Sequence, residues 1–191
     1  MASKNFLRIL ILIVIIFSVL ISCTKESEDD EGPNGWCLEM DAKAYYNDLE
    51  FDITSGYFIG EEDPDNLDNS IVIGMVSDCM QLRNGQIEGV EGMFVTFELL
   101  ADDHYFKSGV YNSEAIDHMA VRNFKFIPKV TPGTGGYEII EAEYVSIKLV
   151  TPYDSPIGLY EIDITANLKN GKVFICRYDG GFYEALQEIN L

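Results

Sequence analysis

Positive charge is scarce in this chain: 13 lysines and arginines stand against 32 aspartates and glutamates, a net charge of −19. Nucleic acid and anionic lipid head groups carry the same sign, so neither fits as a partner. Histidine is rarer still, with two in 191 residues. His104 and His118 each lie beside an aspartate, and neither belongs to an H-E-x-x-H frame. No C-x-x-C occurs, which excludes a thioredoxin-like couple and a zinc knuckle. A G-x-S-x-G elbow and a phosphate-cradling glycine loop are also missing. Carboxylates abound, yet no pair is singled out for glycoside hydrolysis. Long hydrophobic runs are lacking as well. The longest, Ile9 to Ile21, is broken only by Ser18. At ~1.5 Å per residue it reaches about 20 Å, short of the roughly 30 Å core of a bilayer.

That short run is preceded by Lys4 and Arg8 and followed by small residues, the layout of a cleaved export signal. The quartet Leu20-Ile21-Ser22-Cys23 resembles the bacterial lipobox, in which the cysteine becomes the lipidated first residue of the mature protein. The resemblance implies loss of residues 1–22 and acylation (palmitate and related chains) at Cys23. Several acyl chains, at about 0.8 kcal/mol per buried methylene, make such an anchor effectively permanent. Cleavage removes Lys4 and Arg8 but no acid, so the net charge of −19 becomes −21 for residues 23–191. Residues 23–35 carry five acids between Lys25 and Glu31 and then Gly32-Pro33-Asn34-Gly35. With so little apolar surface to offset ordering entropy, this stretch reads as a flexible tether. An acidic cluster just behind the lipidated cysteine resembles the surface-export signal of Bacteroidota lipoproteins. It implies an outer-membrane, lipid-anchored protein exposed at the cell surface; a plain spacer on a periplasm-facing protein is the alternative.

Residues 36–191 read as one all-β domain, an antiparallel β-sandwich or flattened barrel of about nine strands. Leu49, Phe51 and Ile53 alternate with Glu50, Asp52 and Thr54, the period-2 pattern of a half-buried strand. Ser55-Gly56 is placed to bulge that strand, and a parity slip near Glu141–Glu143 predicts another irregularity. Asp41-Ala42-Lys43 reads as a tight turn, and Ser113 as the cap of a short helical turn reaching Val121. Asn170-Gly171 predicts a two-residue type I′ hairpin. That loop pairs Thr165 with Cys176 and Ala166 with Ile175, placing Cys176 on the polar face as an exposed or disulfide-bonded thiol.

Several short segments look like small Bacteroidota lipoproteins of unassigned activity: Ser55-Gly56-Tyr57-Phe58, Ser108-Gly109-Val110-Tyr111 and Tyr178-Asp179-Gly180-Gly181. This likeness implies a location and a fold class and carries no catalytic residues.

Cys37, Cys79 and Cys176 can form at most one disulfide among themselves, and the pairing is not legible. Asp63, Asp65 and Asp68 offer hard oxygen donors for Ca2+. An EF-hand frame begun at Asp63, however, puts Leu67 at a ligand position, Asp68 where glycine belongs and Gly74 in place of the closing glutamate. A solvated acidic loop is the stronger reading. Exposed aromatics from pairs such as Tyr45-Tyr46 and Tyr57-Phe58 could stack on sugars, although most aromatics in such a domain are core. The expected function is a non-catalytic binding or accessory module at the cell envelope, with a protein or glycan partner. A carboxylate-dependent hydrolase acting on glycans is the alternative.

Overall fold

A computed structural model describes residues 42–59, 70–83, 86–100, 107–116, 118–150 and 159–185. The export signal, Cys23, the tether, the strand expected at 36–40, Cys37, His104 and the loop with Asp63, Asp65 and Asp68 lie outside these residues. The described chain is all β. Its strands are β1 (Lys43–Tyr46), β2 (Leu49–Ile59), β3 (Ser70–Ser77), β4 (Gln81–Arg83), β5 (Gln86–Glu88) and β6 (Gly92–Leu100). They continue with β7 (Gly109–Asn112), β8 (Ala120–Val130), β9 (Ile140–Leu149), β10 (Leu159–Leu168) and β11 (Val173–Ala185).

Nine of them close a barrel in the order β1-β11-β10-β9-β7-β8-β6-β3-β2, and β4 and β5 form a separate two-stranded sheet. A ring whose neighbours were all antiparallel would need an even number of strands. With nine, at least one neighbouring pair must run parallel. That pair is β7–β8, joined at a single position, Asn112 opposite Ala120. A second seam arises at β1, which is too short to separate its neighbours along their whole length. Beyond its start, β2 and β11 meet directly in parallel, Gly56–Ile59 against Phe182–Ala185.

Strand alternation fills the interior with side chains. Met93, Val95, Phe97 and Leu99 of β6 meet Ile162, Ile164 and Ala166 of β10 and Phe174, Cys176 and Tyr178 of β11 in one buried cluster. Phe126 lies at its centre, its ring centroid 4.9 Å from Tyr46 and 4.6 Å from Phe174. The intervening residues Val76, Phe94 and Ile127 face outward and are still buried, together with Tyr57, Met80 and Leu82. They are covered by the β4–β5 hairpin, which lies against the outside of the wall and has no counterpart in the sequence reading.

The bulge expected at Ser55 is present as a register shift between Ile53 and Ser55. The one near Glu141–Glu143 appears opposite Asn167/Leu168, where β9 carries an extra residue, Glu143. Three local expectations are corrected. Lys43 belongs to β1, and the tight turn is Asn47-Asp48, with φ of 50° and 67° and Tyr46 paired to Leu49. These positive angles make it a type I′ hairpin. The segment after Ser113 forms no helix. Asn112 Oδ1 accepts hydrogen bonds from the backbone N–H of Glu114 (3.0 Å) and Ala115 (2.9 Å), so Asn112, not Ser113, caps the turn.

The third correction is the β10–β11 hairpin. Leu168 N donates to Lys172 O at 2.8 Å, leaving a three-residue loop, Lys169-Asn170-Gly171. Gly171 has φ of 78°, while Asn170 keeps an ordinary negative φ. This is the three-residue hairpin, with glycine at its left-handed position. One more loop residue shifts the pairing by one and turns every β11 side chain over. Cys176 therefore pairs with Ile164 and faces the interior, where it is a free, fully buried thiol. Burial pushes its pKa up to about 12. The disulfide lies at Cys79. Cys79 and Cys176 are therefore not paired with each other. Mass mapping of unreduced protein is expected to find Cys79 linked and Cys176 unlinked. Alkylation should label it only in denaturant; labelling of the folded protein at neutral pH would contradict its burial.

Candidate functional site

Below the single β7–β8 contact, β8 and β9 do not pair until Lys125 meets Glu141 and Phe126 meets Ile140. Over residues 121–124 and 142–145 the wall is split. Two bulges cause this. On β8, Asn123 and Phe124 together oppose one residue of β6, because Thr96 pairs with Lys125 and Glu98 with Arg122. On β9, Glu143 is the extra residue against β10. A bulge bends its strand and raises local twist, and here the two bends face each other across one seam. Asn123 takes a left-handed φ of 51°, a conformation asparagine tolerates better than most residues.

The result is a cleft of about 310 Å³. Val121, Phe124 and Val145 form an apolar floor that is the edge of the core, while Arg122, Lys125 and Glu141 rise at the rim. Arg122 is held by backbone alone: its guanidinium donates to Ile116 O at 2.7 Å and to Val121 O at 3.3 Å. Asn123 Nδ2 donates to Glu98 at 2.8 Å. Ser113 Oγ accepts from Val145 N at 3.0 Å, which leaves the hydroxyl proton to donate. Glu141 is paired with Lys169, whose side-chain hydrogen bond and charge hold the carboxyl below its usual range, with a smaller contribution from Lys125. Ile116 stands on the adjoining β7–β8 loop and is 79% exposed, more than any other large apolar side chain described.

Compared with known proteins, the chain matches no family model, no curated protein and no solved structure. The site is therefore argued from its own geometry.

The described barrel interior is tightly filled. A gap in it among Phe58, Tyr160, Phe182, Ile71 and Leu149 holds about 10 Å³ and is lined by apolar groups. That is the space of a single water, and a water needs polar partners. Among the described residues no three of His, Cys, Asp and Glu come together as a metal site. His118 lies on the β7–β8 loop. The aromatic pairs divide between faces as the alternation predicts: Tyr46 is buried and Tyr45 is exposed. Tyr57 lies under the outer hairpin and Phe58 points inside. Tyr183 is exposed against Tyr57, with centroids 5.7 Å apart. These rings are scattered and line no common groove.

None of the cleft residues was singled out from the sequence. The slip near Glu141–Glu143 marked one side. The other side carried an equivalent signal: Val121 and Phe124, both inward, are three residues apart where a regular strand requires two or four.

Proposed function

We propose that this chain is a lipid-anchored envelope module that binds its partner without catalysis, and that recognition takes place in the β8–β9 cleft. The observation that carries the reading is the split in the barrel wall. Two bulges and the one obligatory parallel seam coincide there, and they leave an apolar floor beneath a polar rim. A few convergent polar groups over apolar surface, in a space of about 300 Å³, are the usual makings of a small-ligand site. A saccharide unit suits it better than a protein segment. The unpaired stretch spans four residues on each strand before β8 and β9 rejoin, less than the roughly 5–6 residues of an average added strand.

The hydrolase reading has weaker support. A general acid needs a raised pKa, and the carboxyl at this rim, Glu141, is lowered by Lys169. Anchoring rests on the lipobox-like quartet ending at Cys23.

Two measurements test the proposal. Cells expressing the intact chain should incorporate labelled palmitate, and Cys23→Ala should abolish it. Envelope glycans captured by the wild-type chain should be lost on blocking the cleft by Lys125→Trp, from the exposed rim, or Ala142→Trp, from its wall. Equal capture by wild type and a folded blocked variant would remove the cleft from the argument.

A further inference from the structure

Five of the described cations of this acidic protein form ion pairs. Lys43 pairs with Glu50 and Asp52, Arg83 with Glu88, Lys129 with Glu91, Lys169 with Glu141 and Arg177 with Glu161. Two others, Arg122 and Lys125, line the cleft. Arg122 makes its hydrogen bonds to backbone carbonyls only, which fix the guanidinium without neutralising it. Lys125 is opposite Glu141 in the ladder, but Glu141 gives its close contact to Lys169. Among the described residues Lys148 and Lys172 likewise form no ion pair, Lys172 lying over the Tyr46 ring; what sets Arg122 and Lys125 apart is that both line one cleft, with Glu141 shared between Lys125 and Lys169.

Building on the cleft as the binding site, we propose that it takes the carboxylate of an acidic sugar, a uronic-acid type residue of an envelope or environmental glycan. Two of Arg122's five N–H donors are used by backbone, which leaves three for a ligand in a fork suited to a carboxylate. Lys125 adds a mobile point charge. The Ser113 hydroxyl has its proton free to donate, because its oxygen is already an acceptor from Val145 N. Arg122, Lys125 and Ser113 thus all offer donors, as an oxyanion requires, and the remaining acceptors of the lining, the Asn123 amide oxygen and the Lys169-paired Glu141, can receive sugar hydroxyls. The apolar floor of Val121, Phe124 and Val145 suits the carbon face of a sugar ring.

The overall charge makes the effect local. At an ionic strength of about 0.15 M, charges separated by more than roughly 8 Å are largely screened, so the general negative field does not cancel two cations at the rim.

Titration calorimetry of the full chain in detergent tests the proposal with trigalacturonic acid as probe. Comparators are the same trisaccharide with its carboxylates reduced to alcohols, triglutamate, and inorganic phosphate. The acid is expected to bind at least ~10-fold more tightly than the reduced form. Arg122→Gln should weaken it by at least ~10-fold, as loss of a charge-assisted fork predicts, and Lys125→Gln by a few-fold. Lys129→Gln, on the same strand and outside the cleft, should leave binding unchanged. If Arg122→Gln does not fold, Lys125→Gln decides the matter, since that side chain is exposed. No heat with the acid, or undiminished binding by Arg122→Gln, overturns the inference. Triglutamate or phosphate binding as tightly as the uronate overturns the sugar assignment. Equal binding of the reduced sugar, lost in Lys125→Trp, overturns the anion inference and leaves the cleft as the binding site.

Discussion

Phe174→Ala is expected to destabilise the domain by about 3–5 kcal/mol, the usual range for removing a buried aromatic ring. Phe174 is fully buried. Its ring centroid is 4.6 Å from that of Phe126 and 6.0 Å from that of Phe124. The cavity cannot easily close, because β11 is fixed by ladders to both β10 and β1. At roughly 2–4 °C per kcal/mol for a domain of this size, the midpoint should fall by about 6–20 °C. The neighbouring Ile175→Ala is the control. That side chain is 48% exposed on the outer face, and its loss should change stability by no more than about 0.5 kcal/mol. A two-residue loop at Asn170-Gly171 would reverse the two results, since it would turn Ile175 inward and Phe174 outward. Urea denaturation of both variants therefore tests the hairpin register as well as the core. A large loss for Ile175 with a small one for Phe174 would overturn the structure of β11.

The same hairpin shows what could be read from the sequence. Strand identity was legible wherever polar and apolar residues alternate, as in β2, β6 and β10, because alternation depends only on which wall the strand joins. Pairing depends on loop geometry, and Asn-Gly fits more than one loop. A glycine with positive φ satisfies the last position of a three-residue loop as well as the second of a two-residue one. Paired left-handed residues instead occur at Asn47-Asp48, in a two-residue hairpin, and at Asp78-Cys79, and neither turn contains glycine. The β4–β5 hairpin was missed because three-residue strands are too short to show a period. The cleft was half legible. Both bulges leave a parity slip, but a slip does not reveal which other strand it will face. That needs the strand order, and the order contains the parallel contact that no local pattern encodes.

Gly56→Ala is expected to destabilise the barrel by about 1–3 kcal/mol, the cost of overpacking a filled site. A Cβ at this position would stand 2.6 Å from Phe182 Cε1 and 2.7 Å from Tyr178 Oη. Both rings are held by their neighbours, with only the gap of about 10 Å³ beside Phe182 to yield into. Tyr178 is fully buried and its hydroxyl donates to Gly181 O. Phe182 is stacked on Phe58 with centroids 4.7 Å apart, and lies 5.1 Å from Tyr160 and 4.8 Å from Tyr178. The penalty is steric, so trimming the obstacle should reduce it. Phe182→Leu combined with Gly56→Ala should lose less than the sum of the two changes, with a coupling of about 0.5–3 kcal/mol. Strict additivity would mean that the rings yield without cost. The prediction also separates the two seams of the barrel. Where β2 and β11 meet beyond β1, aromatic side chains plug the junction and a glycine makes space for them. Where β8 and β9 part below β7, opposed bulges hold the wall open and two cations stand at the rim. Gly56→Ala should therefore lower the unfolding midpoint while leaving binding at the cleft unchanged, whereas Arg122→Gln should weaken that binding.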